Sequence, residues 1–282
     1  TGTGRRNGAG HPSFCQVQCL VFASLETPVA VVAHDAGAAN HLFAWLAASK
    51  PVDLIPCLSG PALSLWQQTQ GVLPPAQPAT ALATARTLLS GSGWASDVEH
   101  DARRLAQQQG IRSIAVLDDW THYRERFIRA GHEVLPDEIW VSDAHALRMA
   151  EAEFPGIRIV QQENAYLARQ LQEVRRFEQG GAPRTHEQVL YVLEPIRQAW
   201  GDLPRAGEFL ALDVLVGNLR HLQLGDYAMI RLRPHPSDPA GKYDDWIARQ
   251  NNPMLTLDTT PTLAQALAWS TTVIGCQSYA MV

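Results

Sequence analysis

Residues 28–40 read PVAVVAHDAGAAN, and this stretch decides the fold class. The β-branched run at 28–34 predicts a buried strand, and the small residues after it predict a tight turn. The apolar segment at 41–49 then predicts a helix. A strand, a small-residue turn and a helix in this order are typical of the opening of a parallel α/β domain.

The same alternation continues along the chain. Further strands are predicted at 52–58, 87–90, 113–117, 138–141, 157–161, 189–193, 228–232, 255–257 and 272–274. The polar stretch 178–185 carries glycine and proline and reads as a linker between two such series. We therefore predict an α/β fold of two Rossmann-like domains facing a cleft. The predicted boundaries are a disordered tail at 1–27, an N-terminal domain at 28–185 and a C-terminal domain at 186–282.

Composition narrows the class of protein. The chain has 282 residues, 46% of them hydrophobic, and a net charge of −5, which suits a globular protein with a core. A mildly acidic chain argues against a dedicated nucleic-acid binder. The cysteines form no CxxC pair, so we expect neither a disulfide framework nor a zinc site, and we expect a reducing, cytoplasmic compartment. Peripheral association with the inner membrane is left open, although no run approaches a membrane span of about 20 apolar residues.

Polar motifs follow many of the predicted strands. In an open parallel sheet, ligands bind outside the carboxyl ends of the strands. The motifs at these ends are His34–Gly37, Gly91–Trp94, Asp118-Asp119, 161–164 with Asn164, Glu194-Pro195, 233–237 and 275–278. Their number favours a cleft that is lined by functional loops.

Two of these turns are rich in glycine. Gly37 and Gly93 would let the backbone approach a ligand, and the amides of a following helix start suit a phosphate. A tight turn with close helix–strand packing explains the same glycines, and both interpretations stay open. The GxGxxG and GxxxxGK[ST] patterns are absent, which weakens the dinucleotide-binding and P-loop readings.

A capping box is predicted at the start of the helix over 97–109. Ser96 has the hydroxyl of an N-cap residue, and Glu99 follows three residues later, as the pattern requires.

The segment Arg233-Pro234-His235-Pro236-Ser237 is the most distinctive. A proline on each side of the histidine fixes the backbone, and the neighbouring arginine is always charged. A phosphate is the natural partner of such a pair. The alternative is a proline-rich turn with an exposed histidine.

The turn after the last predicted strand offers a second phosphate contact. Ser278 follows Gly275, so its hydroxyl and the amides of the next helix start are candidates to bind a phosphate. A plain N-cap is the alternative for this serine.

The RPHPS segment, the later G-x-x-S turn, the two α/β halves and Glu194-Pro195 resemble the GT-B glycosyltransferases with an HP motif. That group includes bacterial sialyltransferases, Kdo transferases of capsule assembly and CDP-glycerol glycerophosphotransferases. The N-terminal half also resembles uncharacterised polysaccharide-biosynthesis proteins, through VAVVAHDAGAAN, SGSGWASDVEHDA, VLDDWTHYRERF and LPDEIWVSD. The resemblance covers the layout of residues 28–282. It implies a GT-B fold whose second domain is incomplete here.

The resemblance also implies a donor site. In that group the HP histidine and a later serine bind the phosphate of a CMP-linked donor, which carries over to His235, Pro236 and Ser278. Arg233 is implied as an auxiliary, and the rest of the expected donor site is Ser237, Gln277 and Glu194. The implied partners are a nucleotide sugar and a glycan acceptor, with the nucleotide sugar as co-substrate, no other cofactor and no bound metal.

A transferase of this type needs a base for the acceptor hydroxyl. The candidates are Asp35 and Asp118, with Asp119 behind them, and a helix cap or a turn residue is the alternative for each. The acidic motif of the sialyltransferases, which ends in glycine, has no clear match, because Trp120 follows the acidic pair. The remaining cleft residues are predicted to be His34, Gly37, Gly93, Trp94 and Asn164.

Two other classes of function stay open. One is a different enzyme on the same fold, either a UDP-sugar 2-epimerase or a polyol-phosphate transferase. The other is a non-catalytic glycan-assembly protein. We expect a metal-independent glycosyltransferase first.

Overall fold

The structure is a computed structural model that describes residues 21–49, 53–73, 76–180, 186–202, 204–225, 228–276 and 278–281. The described residues up to Tyr166 form one compact unit, and those from Leu167 form a second. This division precedes the linker predicted at 178–185, part of which lies outside the described residues, as does most of the predicted tail 1–27. At the end of that tail, Val21–Ser24 form a short 3-10 helix that contributes to the core of the first unit.

The first unit alternates strands and helices along the chain. Its elements are β1 Val29–Ala33, α1 Ala36–Ala48, β2 Leu54–Leu58, α2 Gly60–Gln70, α3 Pro78–Leu82, β3 Thr87–Ser90, α4 Val98–Gln109, β4 Arg112–Val116, the hairpin β5 Ile128–Arg129 and β6 His132–Glu133, then β7 Glu138–Val141, α5 Ala144–Glu153 and β8 Arg158–Gln161. Helix α6, Ala165–Gln179, begins at the end of this unit.

Six of these strands form one parallel sheet in the order β2-β1-β3-β4-β7-β8. The chain runs outward from β1 to β2 and then returns to place β3 on the other side of β1. The direction of winding therefore reverses between β1 and β3, and ligands bind at such reversals in open α/β sheets. Separate apolar clusters cover the two faces of β1, which explains why its five residues are all buried.

The helices of this unit begin and end where local chemistry requires it. Asp143 caps α5, because its carboxylate accepts hydrogen bonds from the amides of His145 and Ala146 at 2.8 Å. Gly110 ends α4 with a φ of 66°, in the left-handed region that glycine adopts readily. The largest core side chains are Trp45 and Trp140, whose rings meet edge to face at 5.7 Å.

The second unit repeats the alternation on a smaller scale. After α6, its elements are β9 Gln188–Val192, α7 Gly207–Asn218, β10 Met229–Arg233, α8 Asp244–Gln250, β11 Leu255–Leu257, α9 Leu263–Trp269 and β12 Thr272–Ile274. The strands form a parallel sheet in the order β11-β10-β9-β12. The winding here reverses between β9 and β12. Trp246 and Tyr243 are buried against this sheet with the leucines of β10 and α7.

The prediction of an α/β, Rossmann-like fold with parallel sheets is confirmed. Short elements were not predicted, notably α3, α8 and the β5–β6 hairpin, and neither was α6. None of the helices in the described part of the chain is long and apolar enough to cross a membrane.

Candidate active site

The loop after β1 carries a histidine–aspartate pair at the reversal point of the first sheet. The Nδ1 atom of His34 lies 2.7 Å from Oδ1 of Asp35. A carboxylate only accepts hydrogen bonds, so Nδ1 carries the proton and Nε2 is the unprotonated nitrogen of the neutral ring. Both side chains are partly exposed, His34 to 23% and Asp35 to 29%. His34 and Asp35, both predicted as site residues, therefore form a hydrogen-bonded pair.

Glu99 supports this pair by a hydrogen bond to the backbone of His34. Its Oε1 accepts a hydrogen bond from the amide of His34 at 2.9 Å, and the residue is fully buried. Burial raises the pKa of Glu99 and the charge of Asp35 adds to this, although the His34 amide and Arg103 act in the opposite direction. The predicted capping box is therefore wrong, because the Glu99 side chain bonds to the end of β1 instead of to its own helix start. The hydroxyl of Ser96 does accept from the Val98 amide, at 3.3 Å.

The two glycines of this edge make room for carboxylates. A Cβ atom at Gly93 would overlap the carboxylate of Asp35, and one at Gly37 would overlap that of Asp118. The space that the sequence suggested for a phosphate is therefore taken by acidic side chains of the same unit. The structure favours the packing interpretation of these glycines over the phosphate interpretation.

Asp118 is held in an ion pair. Its Oδ1 accepts a hydrogen bond at 2.8 Å from Nη1 of Arg126, which is largely buried. The same guanidinium lies 3.9 Å from Oδ2 of Asp119 and donates through Nε to the carbonyl of Thr121. A carboxylate neutralised in this way is a weaker candidate for a base than its position in the sequence suggested.

Trp94 presents an aromatic face beside these groups. Its side chain follows β3, is 50% exposed and meets the ring of His122 at 4.8 Å. Arg126 lies 5.7 Å from the ring centroid of Trp94, which links this platform to Asp118. Asn164 lies after β8, at the edge of the sheet and four strands away from β1.

In the second unit, the loop after β10 holds His235 in the opposite tautomer. The amide of Ser237 donates to Nδ1 of His235 at 3.1 Å, and the Ser237 hydroxyl lies 2.8 Å from the same nitrogen. An amide can only donate, so Nδ1 is unprotonated and Nε2 carries the hydrogen. Burial lowers the pKa of His235, which keeps the ring neutral. The loop therefore presents a fixed N–H donor.

A buried charge network supports this loop. Asp238 accepts hydrogen bonds from the His235 amide at 3.2 Å, from Lys242 at 2.6 Å and from the Tyr243 hydroxyl at 2.8 Å. Lys242 also binds Glu208, which accepts from the Arg197 amide at 2.6 Å. Although burial alone would raise the pKa of both Asp238 and Glu208, hydrogen bonds from Lys242 hold these values below their usual range.

Sequence reasoning missed this network. The spacing of Asp238 and Lys242 by four residues was the one available signal, since such pairs meet on a helical turn. Glu208 gave no signal, because it comes from α7 and meets Lys242 only in the folded chain.

Arg233 is engaged elsewhere. Its Nη1 donates to Oδ2 of the fully buried Asp258 at 2.5 Å and to the hydroxyl of Thr260 at 3.1 Å. Its charge is therefore neutralised inside the unit. The arginine that reaches the His235 loop is the exposed Arg197, whose Nη2 lies 3.4 Å from the Ser237 hydroxyl.

The other predicted donor residues lie at the same edge of the sheet. At the reversal between β9 and β12, Glu194 accepts a hydrogen bond from the Cys276 amide at 2.9 Å. Pro236 is exposed beside His235. The Ser278 hydroxyl accepts from the Ala280 amide at 3.2 Å, as an N-cap does, and Gln277 lies outside the described residues.

No known protein-family model and no curated protein matches this chain. Within the ranges that the structure describes, no group of three or more histidine, cysteine or acidic side chains is arranged to hold a metal ion.

Proposed function

We propose that the protein is a glycosyltransferase of the GT-B type that transfers a sugar from a nucleotide-activated, CMP-linked donor to a surface-glycan acceptor. The observation that carries the proposal is the fixed tautomer of His235 at the carboxyl edge of the second sheet. Its Nε2–H group is a neutral donor of the kind that stabilises a departing nucleotide phosphate.

The surroundings of His235 support a phosphate as the partner. Arg197 is exposed and reaches the Ser237 hydroxyl, so a guanidinium stands beside the loop. We assign to Arg197 the auxiliary role that the sequence suggested for Arg233, because the charge of Arg233 is already paired with Asp258. The network of Asp238, Lys242 and Glu208 fixes the loop before a ligand arrives, which lowers the entropic cost of binding.

Thermal unfolding in the presence of CMP, CDP, UDP or GDP tests the proposal. A nucleotide that binds only the folded protein stabilises it by about 2.7 kcal/mol at about 100 times its Kd. We expect CMP to raise the Tm most. Loss of one hydrogen bond to a charged phosphate costs about 1.5–3 kcal/mol, so His235→Ala should weaken CMP binding roughly 10- to 100-fold.

The matched control is His221→Ala, which removes an exposed histidine of the same unit outside the candidate site. This variant should bind CMP as the wild type does. The proposal is contradicted if no nucleotide raises the Tm of the wild type, or if His235→Ala binds CMP with unchanged affinity.

A further inference from the structure

His34 is held by three hydrogen bonds in the first unit. Its amide donates to Glu99 at 2.9 Å, its carbonyl accepts from the Ala62 amide at 2.9 Å, and its Nδ1–H donates to Asp35. Among the described residues, the remaining ring nitrogen, Nε2, has no hydrogen-bond partner. The fold therefore fixes the ring and leaves one basic nitrogen unused.

Gly60 lies against that edge of the ring without overlapping it. This residue has a φ of 52°, in the region that favours glycine, and a Cβ atom there would lie 2.5 Å from Nε2 of His34. It would also lie 2.8 Å from Cδ2 and 2.9 Å from Cε1, so any other residue would cover the edge of the ring. The His34 side chain is 23% exposed, and Nε2 is not among the described buried polar atoms that lack a partner, so this nitrogen is accessible.

The two aspartates predicted as bases are otherwise occupied. Asp35 accepts the Nδ1–H of His34, and its second oxygen is packed against Gly93. Asp118 is paired with Arg126 and packed against Gly37. An imidazole that is oriented by a carboxylate is a better proton acceptor near neutral pH than a carboxylate paired with an arginine.

We infer that His34 is the general base of the reaction and that Asp35 is its positioning residue, an assignment that rests on the proposed glycosyl transfer. Nε2 of His34 removes the proton of the acceptor hydroxyl while that oxygen forms a bond to the anomeric carbon of the donor. The bond between the anomeric carbon and the phosphate oxygen breaks, and the nucleotide leaves with the electron pair. Asp35 stabilises the imidazolium that results.

Glu99 fixes the backbone of His34 from a fully buried position. Burial raises the pKa of Glu99, and the charge of Asp35 acts in the same direction. Glu99 accepts a hydrogen bond from the His34 amide, whereas Asp35 bonds to the ring.

The experiment measures release of nucleotide from four donors: CMP-N-acetylneuraminate, CMP-Kdo, UDP-N-acetylglucosamine and CDP-glycerol. Water serves as the acceptor, since the same base would activate it. We expect His34→Gln to lower kcat by at least about 100-fold, the usual contribution of a general base, with CMP affinity unchanged. His132→Gln is the matched control, because that side chain is exposed on the β5–β6 hairpin, and it should keep the wild-type kcat.

Asp35→Asn is the second variant, and its readout is the tautomer of His34. A purely structural role of Asp35 would leave this tautomer unchanged. An amide can donate to Nδ1, so it permits the wrong tautomer, and we expect part of the His34 population to carry its proton on Nε2 in long-range ¹H–¹⁵N spectra. We also expect the kcat of Asp35→Asn to fall. Unchanged tautomer and kcat in Asp35→Asn, or unchanged kcat in His34→Gln, would overturn the assignment. Failure of the wild type to release nucleotide from any donor overturns the proposed function itself, and the assignment of His34 with it.

Discussion

Each of the two units carries a histidine in the loop after a parallel strand, and the two rings are held in opposite tautomers. In the first unit, Nδ1 of His34 faces the carboxylate of Asp35, so the ring keeps a basic lone pair on Nε2. In the second, Nδ1 of His235 accepts from the Ser237 amide, so the ring presents a donor on Nε2. A single neighbour therefore decides whether Nε2 of the neutral ring accepts or donates a hydrogen bond.

The supporting residues differ in the same sense. Glu99 is buried without a cation bonded to it, and burial raises its pKa. Glu208 and Asp238 are buried against Lys242. Hydrogen bonds from Lys242 lower the pKa values of both carboxyl groups, although burial acts in the opposite direction. One edge is therefore supported by a buried acid with a raised pKa and the other by a paired charge network, and the two should respond differently to substitution.

We expect substitution of Lys242 to have the largest effect on the free energy of unfolding. Lys242→Met leaves Glu208 and Asp238 with uncompensated buried charges, which costs about 3–5 kcal/mol when one partner of a buried pair is removed. Urea unfolding at neutral pH measures this loss. Arg104→Met, which removes an exposed pair with Asp101, should cost less than about 1 kcal/mol. Equal losses of stability in the two variants would contradict the conclusion that a buried charge network supports the second unit.

A smaller effect is expected at Gly93. In Gly93→Ala the new methyl group overlaps the Asp35 carboxylate, so the variant should lose about 1–3 kcal/mol and part of the hydrogen bond to His34. Gly217→Ala is the control, because a Cβ atom there meets open space within α7. That change should stabilise the protein by about 0.5–1 kcal/mol. The packing interpretation fails if Gly93→Ala is as well tolerated as Gly217→Ala in the same urea titration.

The smallest effect is expected at Glu99. Because the folded-state pKa of Glu99 is raised above 4.5, its contribution to stability is present below that pH and is lost as the pH rises through the raised value. Glu99→Gln imitates the neutral acid, so it should match the wild type in acid and exceed its stability at higher pH. Urea unfolding across that range measures the difference. A variant that is less stable than the wild type at neutral pH would show that the charged form of Glu99 is the one required.

The sequence predicted the alternation of strands and helices well, because β-branched runs and their turns are local signals. It also selected the turns that contain His34, Gly93 and His235. It could not assign their partners, since Glu99 leaves its own helix for the end of β1 and Arg233 turns to Asp258. Those pairings depend on strand order and burial, which emerge only when distant segments pack.

The most direct test of the account is the tautomer of the two histidines. Long-range ¹H–¹⁵N spectra of labelled protein at about pH 8, where histidine is ordinarily neutral, distinguish the two ring nitrogens. Spectra of His34→Gln and His235→Ala assign the signals. We predict that His34 carries its hydrogen on Nδ1 and His235 on Nε2. The same tautomer at both positions, or the reverse of this assignment, would contradict the division of roles between the two units.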